Sequence, residues 1–298
     1  MTDQRNAHFS LVYTPLLIQL KCHETALLPE YLGSTLHGIM GWALLSHKEV
    51  YRYLFENRSF GGAKQDIINP YIIEPPRYHG IYRVGDELCF QFVLLGDAVQ
   101  YCTTVVKILS KIRWFRVGAE RKLFELSEIR HGQTLQLIWK NGETVWKHAV
   151  SQLVPGTFQN KSTYCSIHFL TPLRIRRNGN LLLDIDFPTI MRNITRRMSE
   201  LTERYGGYVD LEEIDTLQCL MEMVQEVSSG LYLNKIDRYS TRRNVKMDLS
   251  GLMGAMTFKG ELSAFTSWLN AASILHIGRN TTFGCGKIDV VFGAMEKS

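Results

Sequence analysis

The sequence predicts an α+β protein built from two similar halves in tandem, and three observations support this fold class. Each half has the pattern of a strand, an amphipathic helix, further strands, a second helix and a closing strand. The first strand of each half contains the same tripeptide, Thr14-Pro-Leu16 and Thr171-Pro-Leu173. A chain of 298 residues also has room for two ordinary domains, which we place at residues 1–155 and 156–298.

The elements of the first half follow from hydrophobic periodicity. Residues 8–22 are predicted as a strand interrupted at Pro15, which lacks a ladder donor and is expected at an edge or a bulge. A helix capped by Ser34 or Thr35 follows. Its buried face consists of apolar residues at three- and four-residue spacing: Leu36, Ile39, Met40, Ala43 and Leu44. The remaining predicted elements are a strand over 87–95, a helix over 99–114, and strands over 124–130, 135–140 and 143–147, the last two joined by Asn141-Gly142.

The second half repeats this order. A strand over 165–175 precedes an amphipathic helix over 188–205. A second helix is predicted over 211–227, because its acidic start is favourable to the helix dipole. The last predicted elements are a basic hairpin-like region over 232–258, a helix over 262–275 and a strand over 288–292.

Composition and cysteine spacing narrow the class of protein. The content of 45% hydrophobic and 21% charged residues is that of a globular protein, and the net charge of +5 permits an anionic partner. The six cysteines are scattered without a CxxC pair, which predicts neither a zinc site nor a disulfide framework and suits a reducing compartment. With no signal-peptide pattern and no apolar run of about 18 residues, we expect a cytoplasmic protein with no membrane partner, metal or cofactor.

A glycine-rich stretch, His276 to Lys287, lies between the last predicted helix and the last predicted strand. Glycine permits backbone conformations closed to other residues and lets a ligand approach the main chain. The stretch has neither the spacing of a Walker loop nor that of a dinucleotide fingerprint, so we interpret it as a surface for a phosphodiester. The alternative is an ordinary helix-to-strand connection. The residues predicted to contact phosphate are Gly278, Arg279, Asn280, Thr281, Gly284, Gly286 and Lys287.

Positive charge concentrates in the second half, interleaved with tyrosines that offer stacking surfaces for unpaired bases. The alternative is a set of solvated faces neutralised by Glu200, Glu203 and Asp237. Arg192 and Arg196 are four residues apart and share a helix face. The arginines predicted to bind RNA are Arg174, Arg176, Arg192, Arg196, Arg238, Arg242 and Arg243.

With these features, the chain resembles the CRISPR-associated endoribonucleases of the RAMP superfamily, which process precursor CRISPR RNA. The matching motifs are Gly278-Arg-Asn-Thr-Thr-Phe-Gly-Cys-Gly286, Thr171-Pro-Leu-Arg-Ile175, Arg238-Tyr-Ser-Thr-Arg-Arg243, Gly251-Leu-Met-Gly254 and Gly33-Ser-Thr-Leu-His-Gly-Ile-Met-Gly41. They extend from the first helix to the last strand. The chain departs from the family pattern at His37, where relatives often carry arginine, and in lacking a cysteine cluster that many relatives have before the Phe55-like position.

The resemblance implies two tandem ferredoxin-like (RRM-like, RAMP) domains with a C-terminal glycine-rich loop. It also implies metal-independent cleavage of CRISPR repeat RNA in precursor crRNA. In this reaction the 2′-hydroxyl attacks the adjacent phosphorus and leaves 2′,3′-cyclic phosphate and 5′-hydroxyl ends. Two alternatives remain open: a non-catalytic subunit that holds guide RNA in an effector complex, and a module that brings a CRISPR adaptation enzyme to RNA. The oligomeric state is not predicted.

Family catalytic histidines commonly lie in or just after the first helix, where this chain has His37 and His47. Histidine titrates near neutrality and can act as base or acid. Small neighbours around His37 leave room for a phosphate or a close-packed loop, whereas burial or helix termination is the alternative for His47. Tyr31 and Lys48 complete the predicted catalytic set, and a purely structural role for either histidine remains open.

Overall fold

The computed structural model describes residues 8–56, 59–60, 63–64, 68–145, 150–155, 162–240 and 245–294. Among these, only the backbone is described at 59–60, 63–64, 237–240 and 245–247. The chain forms two compact units, one of residues 12–152 and the other of residues 153–298 together with residues 1–11. Among the described residues, no helix has the length and apolar character needed to cross a bilayer.

The first unit is a ferredoxin-like domain with extra strands. Its sheet has the order β6-β5-β1-β3-β2, and β4 pairs with β5; all of these pairs are antiparallel. The elements β1, α1, β2, β3, α3 and β5 therefore have the connectivity and strand order of a ferredoxin-like fold. The elements are β1 (Phe9–Cys22), α1 (Gly33–Leu44), α2 (Lys48–Tyr51), β2 (Tyr71–Glu74), β3 (Glu87–Leu95), α3 (Cys102–Ile112), β4 (Trp114–Val117), β5 (Lys122–His131) and β6 (Leu137–Lys140).

Helix α1 buries the face that the spacing predicts, with Leu36, Ile39, Met40, Ala43 and Leu44 all buried. It packs on a core formed by alternate residues of the sheet strands. Its predicted cap is wrong, because the helix begins at Gly33 and the residue in the cap position is Leu32, whose side chain makes no capping hydrogen bond. Packing of the apolar face, rather than a cap, stabilises the start of this helix.

The prediction for Pro15 is also wrong. Strand β1 runs without interruption and lies in the middle of its sheet, not at an edge. Pro15 is tolerated there because the ladder with β5 begins only at Leu16, opposite His131. The Pro15 carbonyl accepts a hydrogen bond from Gly132 N–H at 2.8 Å. Pro15 therefore faces the segment just beyond the end of β5, where the ladder does not require the donor that proline lacks.

The second unit repeats the ferredoxin-like order. Its sheet runs β8-β10-β7-β11, and β9 also pairs with β10. Short hairpins join Arg176–Arg177 to Asn180–Leu181 and Asp237–Ser240 to Val245–Asp248. The main elements are β7 (Tyr164–Leu173), α4 (Phe187–Tyr205), α5 (Leu211–Leu220), β8 (Gln225–Ser229), β9 (Tyr232–Asn234), β10 (Gly251–Lys259), α6 (Thr266–Leu275) and β11 (Ile288–Gly293).

Two helix ends in this unit test the sequence prediction. Helix α4 begins as an amphipathic helix should: the Asp186 carboxylate accepts the Thr189 N–H at 2.8 Å, with Pro188 in the first turn. The helix predicted over 211–227 is too long, because α5 ends at Leu220 and residues 225–229 form strand β8. Pairing of β8 with β10 overrides the local helical pattern there.

The first residues of β1 belong to the second unit. Phe9 and Ser10 pair with Val209 and Tyr208, and the Phe9 ring packs edge-on against Trp268 at 4.9 Å. Both Phe9 and Trp268 are fully buried. Strand β1 therefore contributes its first residues to the second unit and the rest of its length to the first.

Candidate functional site

His37 lies on α1 with its ring held between two aromatic side chains. Its Nε2 is 3.0 Å from the Tyr71 hydroxyl. The imidazole contacts the Phe55 ring edge-on at 5.2 Å and stacks on Tyr71 at 6.2 Å. The side chain is half-buried, whereas Tyr71 on β2 is fully buried. Helix, strand and the π-helical turn Arg52–Glu56 thus fix this ring from three sides.

The glycines around His37 have different uses. A Cβ added at Gly38 would have no atom within 4 Å, so the helix surface next to His37 is open. A Cβ at Gly41 would lie 3.3 Å from the Phe55 ring, so that glycine admits the aromatic ring which supports His37. The sequence predicted room for a phosphate or for a close-packed loop beside His37. Gly38 leaves open space there, and Gly41 permits the close packing of Phe55.

His47 occupies a connection between helices. Helix α1 ends at Leu44, and His47 precedes α2, with φ −105° and ψ 86°. Its N–H donates to the Leu44 carbonyl and its own carbonyl accepts from Tyr51 N–H, both at 3.0 Å. Nδ1 of its ring is buried without a hydrogen-bond partner among the described residues. This geometry matches the alternative of helix termination.

The other two predicted catalytic residues flank α1. Tyr31 is half-buried and lies two positions before the helix, and Lys48 is exposed at the first position of α2. Tyr71 and Phe55 are the neighbours of His37 that the sequence did not indicate. They lie 34 and 18 positions away from it, and no periodic pattern joins them to α1.

The glycine-rich loop 276–287 is built against the end of β7. Gly278, Gly284 and Gly286 have φ of +75°, +83° and +76°. A Cβ at Gly278 would lie 2.7 Å from the Arg174 carbonyl, and one at Gly286 only 1.8 Å from the Ile277 carbonyl. At these two glycines the close approach that glycine permits is therefore to the protein's own backbone.

Hydrogen bonds join this loop to the repeated Thr-Pro-Leu segment of β7. The Thr171 hydroxyl donates to the Gly284 carbonyl at 2.7 Å and accepts Lys287 N–H at 2.8 Å. Gly286 N–H donates to the Pro172 carbonyl at 3.0 Å. Pro172 lies where the register between β7 and β10 shifts, so the bulge expected for such a proline occurs in this half.

Arg174 corrects the predicted RNA interface. Its side chain is 3% exposed, and its guanidinium donates to Asn280 Oδ1 at 3.1 Å and to the Ser250 carbonyl. It also pairs with Asp248 at 3.5 Å. Burial would raise the pKa of the Asp248 carboxyl, but hydrogen bonds from Ser250 and the nearby Arg174 charge hold it below its ordinary value. Arg174 therefore holds the loop from inside rather than offering its charge to a ligand.

His276 begins the loop in an unusual backbone conformation, with φ 55° and ψ 166°. Its ring is fully buried, and Nδ1 lies 3.1 Å from the Cys285 carbonyl. Because a carbonyl can only accept, this nitrogen carries the hydrogen. The contact links the start of the loop to its end.

The remaining predicted RNA-binding arginines differ in exposure. Arg176, Arg192, Arg196 and Arg279 are exposed. Arg192 pairs with Glu222 at 2.5 Å and Arg196 with Glu200 at 3.8 Å, and such surface pairs exchange readily for another anion. Arg238 lies in the strand Asp237–Ser240, where only the backbone is described, and Arg242 and Arg243 lie outside the described residues. Within the described ranges, no three His, Cys, Asp or Glu side chains are grouped as metal ligands.

Two family models match the chain, one in each half. The family model described as CRISPR-associated endoribonuclease Cas6 matches residues 167–288, which include the glycine-rich loop and its β7 support. A family model described as an N-terminal domain matches residues 11–154. No curated protein matches the sequence.

Solved structures share the fold over nearly the whole chain. A product complex of a Cas6 from Thermus thermophilus has a TM-score of 0.61 at 15% identity, covering 94% of this chain and 100% of that one. A product complex of another Cas6 has a TM-score of 0.59 at 19% identity, covering 94% and 99%. A chain of a partial Cas6-RT-Cas1–Cas2 complex has a TM-score of 0.60 at 12% identity, covering 98% of this chain and 48% of that one. The match to the Cas6 endoribonuclease model at residues 167–288 and the fold shared over nearly the whole chain confirm the resemblance predicted from the sequence: the second half carries a Cas6 endoribonuclease domain, and the chain as a whole has the fold of Cas6 proteins.

Proposed function

We propose that the chain cuts CRISPR repeat RNA in precursor crRNA without a metal ion. The 2′-hydroxyl upstream of the scissile bond attacks the adjacent phosphorus, and the products carry 2′,3′-cyclic phosphate and 5′-hydroxyl ends. The observation that carries this proposal is a half-buried histidine, His37, held by aromatic side chains beside an open helix surface in a chain with a Cas6 domain.

This chemistry needs a base for the 2′-hydroxyl, an acid for the 5′-oxygen, and positive charge near the phosphorane. His37 is assigned the proton transfer, because imidazole exchanges protons near neutral pH. The open surface at Gly38 supports this assignment, since a phosphate can approach the helix there without meeting a side chain. Lys48 is exposed and is assigned the stabilisation of the phosphorane charge, with Tyr31 as a second proton-transfer candidate.

RNA binding is assigned to exposed groups of the second unit. Arg192 and Arg196 project from the same face of α4, and Arg176 and Arg279 are also exposed. Each phosphate they neutralise releases counterions, so binding is expected to weaken as the salt concentration rises. The glycine-rich loop then contributes through its shape and its exposed Arg279, not through Arg174.

The test is incubation of purified protein with the repeat RNA of its own locus in EDTA. Cleavage is expected to continue, with cyclic phosphate at one end and a 5′-hydroxyl at the other. A 2′-deoxy substitution upstream of the cut should block cleavage and leave binding intact, because it removes only the nucleophile. Loss of cutting in EDTA that magnesium restores would contradict the mechanism, as would cutting of the 2′-deoxy substrate.

A second proposal concerns partners. One matched chain belongs to a Cas6-RT-Cas1–Cas2 complex, and this chain corresponds to 48% or less of its length. We infer that CRISPR adaptation proteins are partners of this chain as well as RNA. Co-elution of the purified protein with Cas1 and Cas2 of its own locus tests this. A non-catalytic role in holding RNA is the competing function, and it predicts tight binding of repeat RNA without any cleavage.

A further inference from the structure

A buried arginine lies at the end of the helix that leads into the glycine-rich loop. Arg197 is on α4 and is 5% exposed. Its Nε donates a hydrogen bond of 2.7 Å to the carbonyl of Leu275, the last residue of α6. The backbone turns at the next residue, His276, with φ 55° and ψ 166°. The guanidinium of Arg197 is therefore fixed at the point where α6 ends and the loop begins.

The charge of Arg197 is poorly compensated by its surroundings. Among the described residues, Arg197 takes part in no ion pair, and its Nη2 is buried without a hydrogen-bond partner. Burial lowers the pKa of Arg197 to about 10, against the opposing effect of Glu200, and leaves the side chain protonated at neutral pH. Buried charges are usually paired, because their removal from water is costly. A neutral donor would satisfy the Leu275 carbonyl at a lower cost, so this hydrogen bond alone does not explain an arginine here.

The order of the elements gives the glycine-rich loop an electrostatic disadvantage. The loop follows the C-terminus of α6, where the helix dipole places partial negative charge and the last carbonyls have no partner within the helix. Anions bind at helix N-termini for the opposite reason. A phosphate at this loop would therefore be repelled by the end of α6 unless a cation compensated it. The guanidinium of Arg197 is bonded to the last carbonyl of that helix.

We propose that Arg197 is a positioning residue for RNA binding: from inside the second unit it offsets the negative end of α6, so that the glycine-rich loop can accept a phosphate. Arg197 itself does not touch RNA, and it acts through the loop. This inference rests on the proposed function, because it assumes that the loop contacts RNA.

Two other arginines of the same unit show what is particular to Arg197. Arg174 is also buried, but its charge is paired with Asp248. Arg196 precedes Arg197 in the sequence and has a side chain that is 66% exposed. A buried charge is screened by salt much less than an exposed one, and a charge that contacts no phosphate releases no counterions. Arg197 should therefore add to RNA affinity without adding to its salt dependence.

The decisive variant is Arg197→Gln, because it removes the charge and keeps a donor. The side-chain nitrogen of glutamine is as many bonds from Cα as Nε of arginine, so it can donate to Leu275 in the same way. Affinity for repeat RNA, 2′-deoxy at the cut so that it stays intact, should fall about 4- to 16-fold. That is the Coulomb effect of two unit charges about 10–20 Å apart at an effective dielectric constant of about 20.

The salt dependence gives a readout that a purely structural role would not separate. The slope of log affinity against log salt should be the same for Arg197→Gln and the parent. Arg196→Gln, one position away, should lower the slope by about 0.7, the value for one contact to a single-stranded phosphate. A reduced slope for Arg197→Gln would mean that Arg197 contacts RNA directly, and the inference would be wrong.

Two further variants separate charge from packing. Arg197→Lys retains a cation and should recover most of the lost affinity at about pH 6, where a buried lysine keeps its proton more fully. Trp268→Phe is the packing control, because Trp268 is fully buried on α6 and its substitution changes no charge. It should lower the melting temperature and leave RNA affinity unchanged. Equal losses of affinity in all three variants would show that the loop requires an undisturbed α6 rather than a charge, and would overturn the inference.

Neutral phosphate analogues test the same point from the side of the RNA. A series of repeat RNAs, each with one methylphosphonate linkage, removes one negative charge at a time. If Arg197 acts on a phosphate at the loop, the difference in affinity between the parent and Arg197→Gln should shrink at that linkage and persist at the others. A difference that is the same for every RNA, or an Arg197→Gln of parental affinity, would overturn the role of Arg197 and leave the proposed function standing. A parent protein that does not bind repeat RNA would overturn the proposed function itself.

Discussion

At the scale of single residues, His37 on α1 and His47 after it differ in their structural surroundings. His37 and His47 are ten positions apart and were both candidates in the sequence, with burial or helix termination as the alternative for His47. His37 is held by a tyrosine hydroxyl and an aromatic ring beside an open helix surface. His47 ends a helix, and its backbone makes the hydrogen bonds of that connection. Their different settings lead to different expectations for substitution.

His37→Ala should lower the single-turnover rate by about 10²- to 10⁴-fold, the usual contribution of a positioned proton-transfer group. RNA affinity should hardly change, because phosphate contacts dominate binding. The measurement is quenched-flow cleavage with the protein in excess over RNA. His47→Ala is the control and should keep its rate, with any loss appearing in the melting temperature. An inactive but stable His47→Ala beside a fully active His37→Ala would transfer the role to His47.

Glu128 predicts an acid-sensitive contribution to stability in the first unit. Hydrogen bonds from Arg130 lead the effects that lower the pKa of this carboxyl below its ordinary value of 4.5, and Lys140 adds to them at 3.1 Å. A carboxyl with a lowered pKa stabilises the fold above its unfolded pKa, and the contribution is lost as pH falls through the folded value. As the pH falls below 4.5, the unfolding free energy of the parent should therefore decrease more than that of Glu128→Gln.

Urea unfolding at a series of pH values measures this difference. Glu120→Gln is the control, because Glu120 is exposed and its substitution removes the same charge. The control should follow the pH dependence of the parent. If the unfolding free energies of the parent and Glu128→Gln fall in parallel with pH, the interactions of Glu128 with Arg130 and Lys140 do not contribute to acid stability.

At the scale of elements, α4 and the glycine-rich loop have different parts in the proposed binding of RNA. Helix α4 presents Arg192 and Arg196 to solvent while its other face is buried. The loop instead uses its glycines to lie against Pro172 and Arg174. Both regions remain predicted RNA contacts, and we propose that the helix contributes charge and the loop a fixed shape.

Replacing Arg192 and Arg196 together with alanine should weaken RNA binding and reduce its salt dependence. Two lost contacts to single-stranded phosphates should lower the slope of log affinity against log salt by about 1.4. Binding titrations at several salt concentrations provide the slope. Arg113 and Arg116 are the matched control pair, because both are exposed and ion-paired in the first unit. An unchanged slope for the α4 pair would mean that these arginines do not contact RNA.

Gly286→Ala should destabilise the loop through a steric clash. The new Cβ would lie 1.8 Å from the Ile277 carbonyl, so the backbone of the loop would have to shift. Gly179→Ala is matched to it, because Gly179 has φ +82° and no atom within 4 Å of an added Cβ. Both variants should lose about 1 kcal/mol for positive φ, so the difference in melting temperature isolates the clash. Equal losses would show that the loop relaxes without cost.

The sequence predicts these elements where the signal is local. The spacing along α1, the acidic start of α5 and the helix-loop-strand order around the glycines were all visible in neighbouring residues. The burial of Arg174 and the hydrogen bond between Tyr71 and His37 could not be predicted from the sequence, because each depends on partners far away in the chain. An arginine in a basic cluster looks the same in sequence whether it faces water or a carbonyl.

At the scale of the whole molecule, the duplication predicted from element order corresponds to two ferredoxin-like units with the same strand arrangement. The repeated Thr-Pro-Leu tripeptide lies in equivalent first strands, yet its surroundings differ. In β1 the proline lies beyond the end of one ladder, and in β7 it lies at a register shift that receives the glycine-rich loop. The same three residues thus support a plain sheet in one unit and a loop platform in the other.

The placement of Phe9 and Ser10 in the second unit has a consequence for synthesis. Phe9 and Ser10 are synthesised before residues 12–152, but their partners Tyr208, Val209 and Trp268 are synthesised after that whole unit. Residues 12–152 contain their own core and can fold while the chain is still growing, whereas the second unit is complete only when its later residues pair with a strand that was synthesised before the first unit. A bulky insertion immediately before Phe9 would therefore disturb the folding of the second unit, although it precedes the first unit in the sequence.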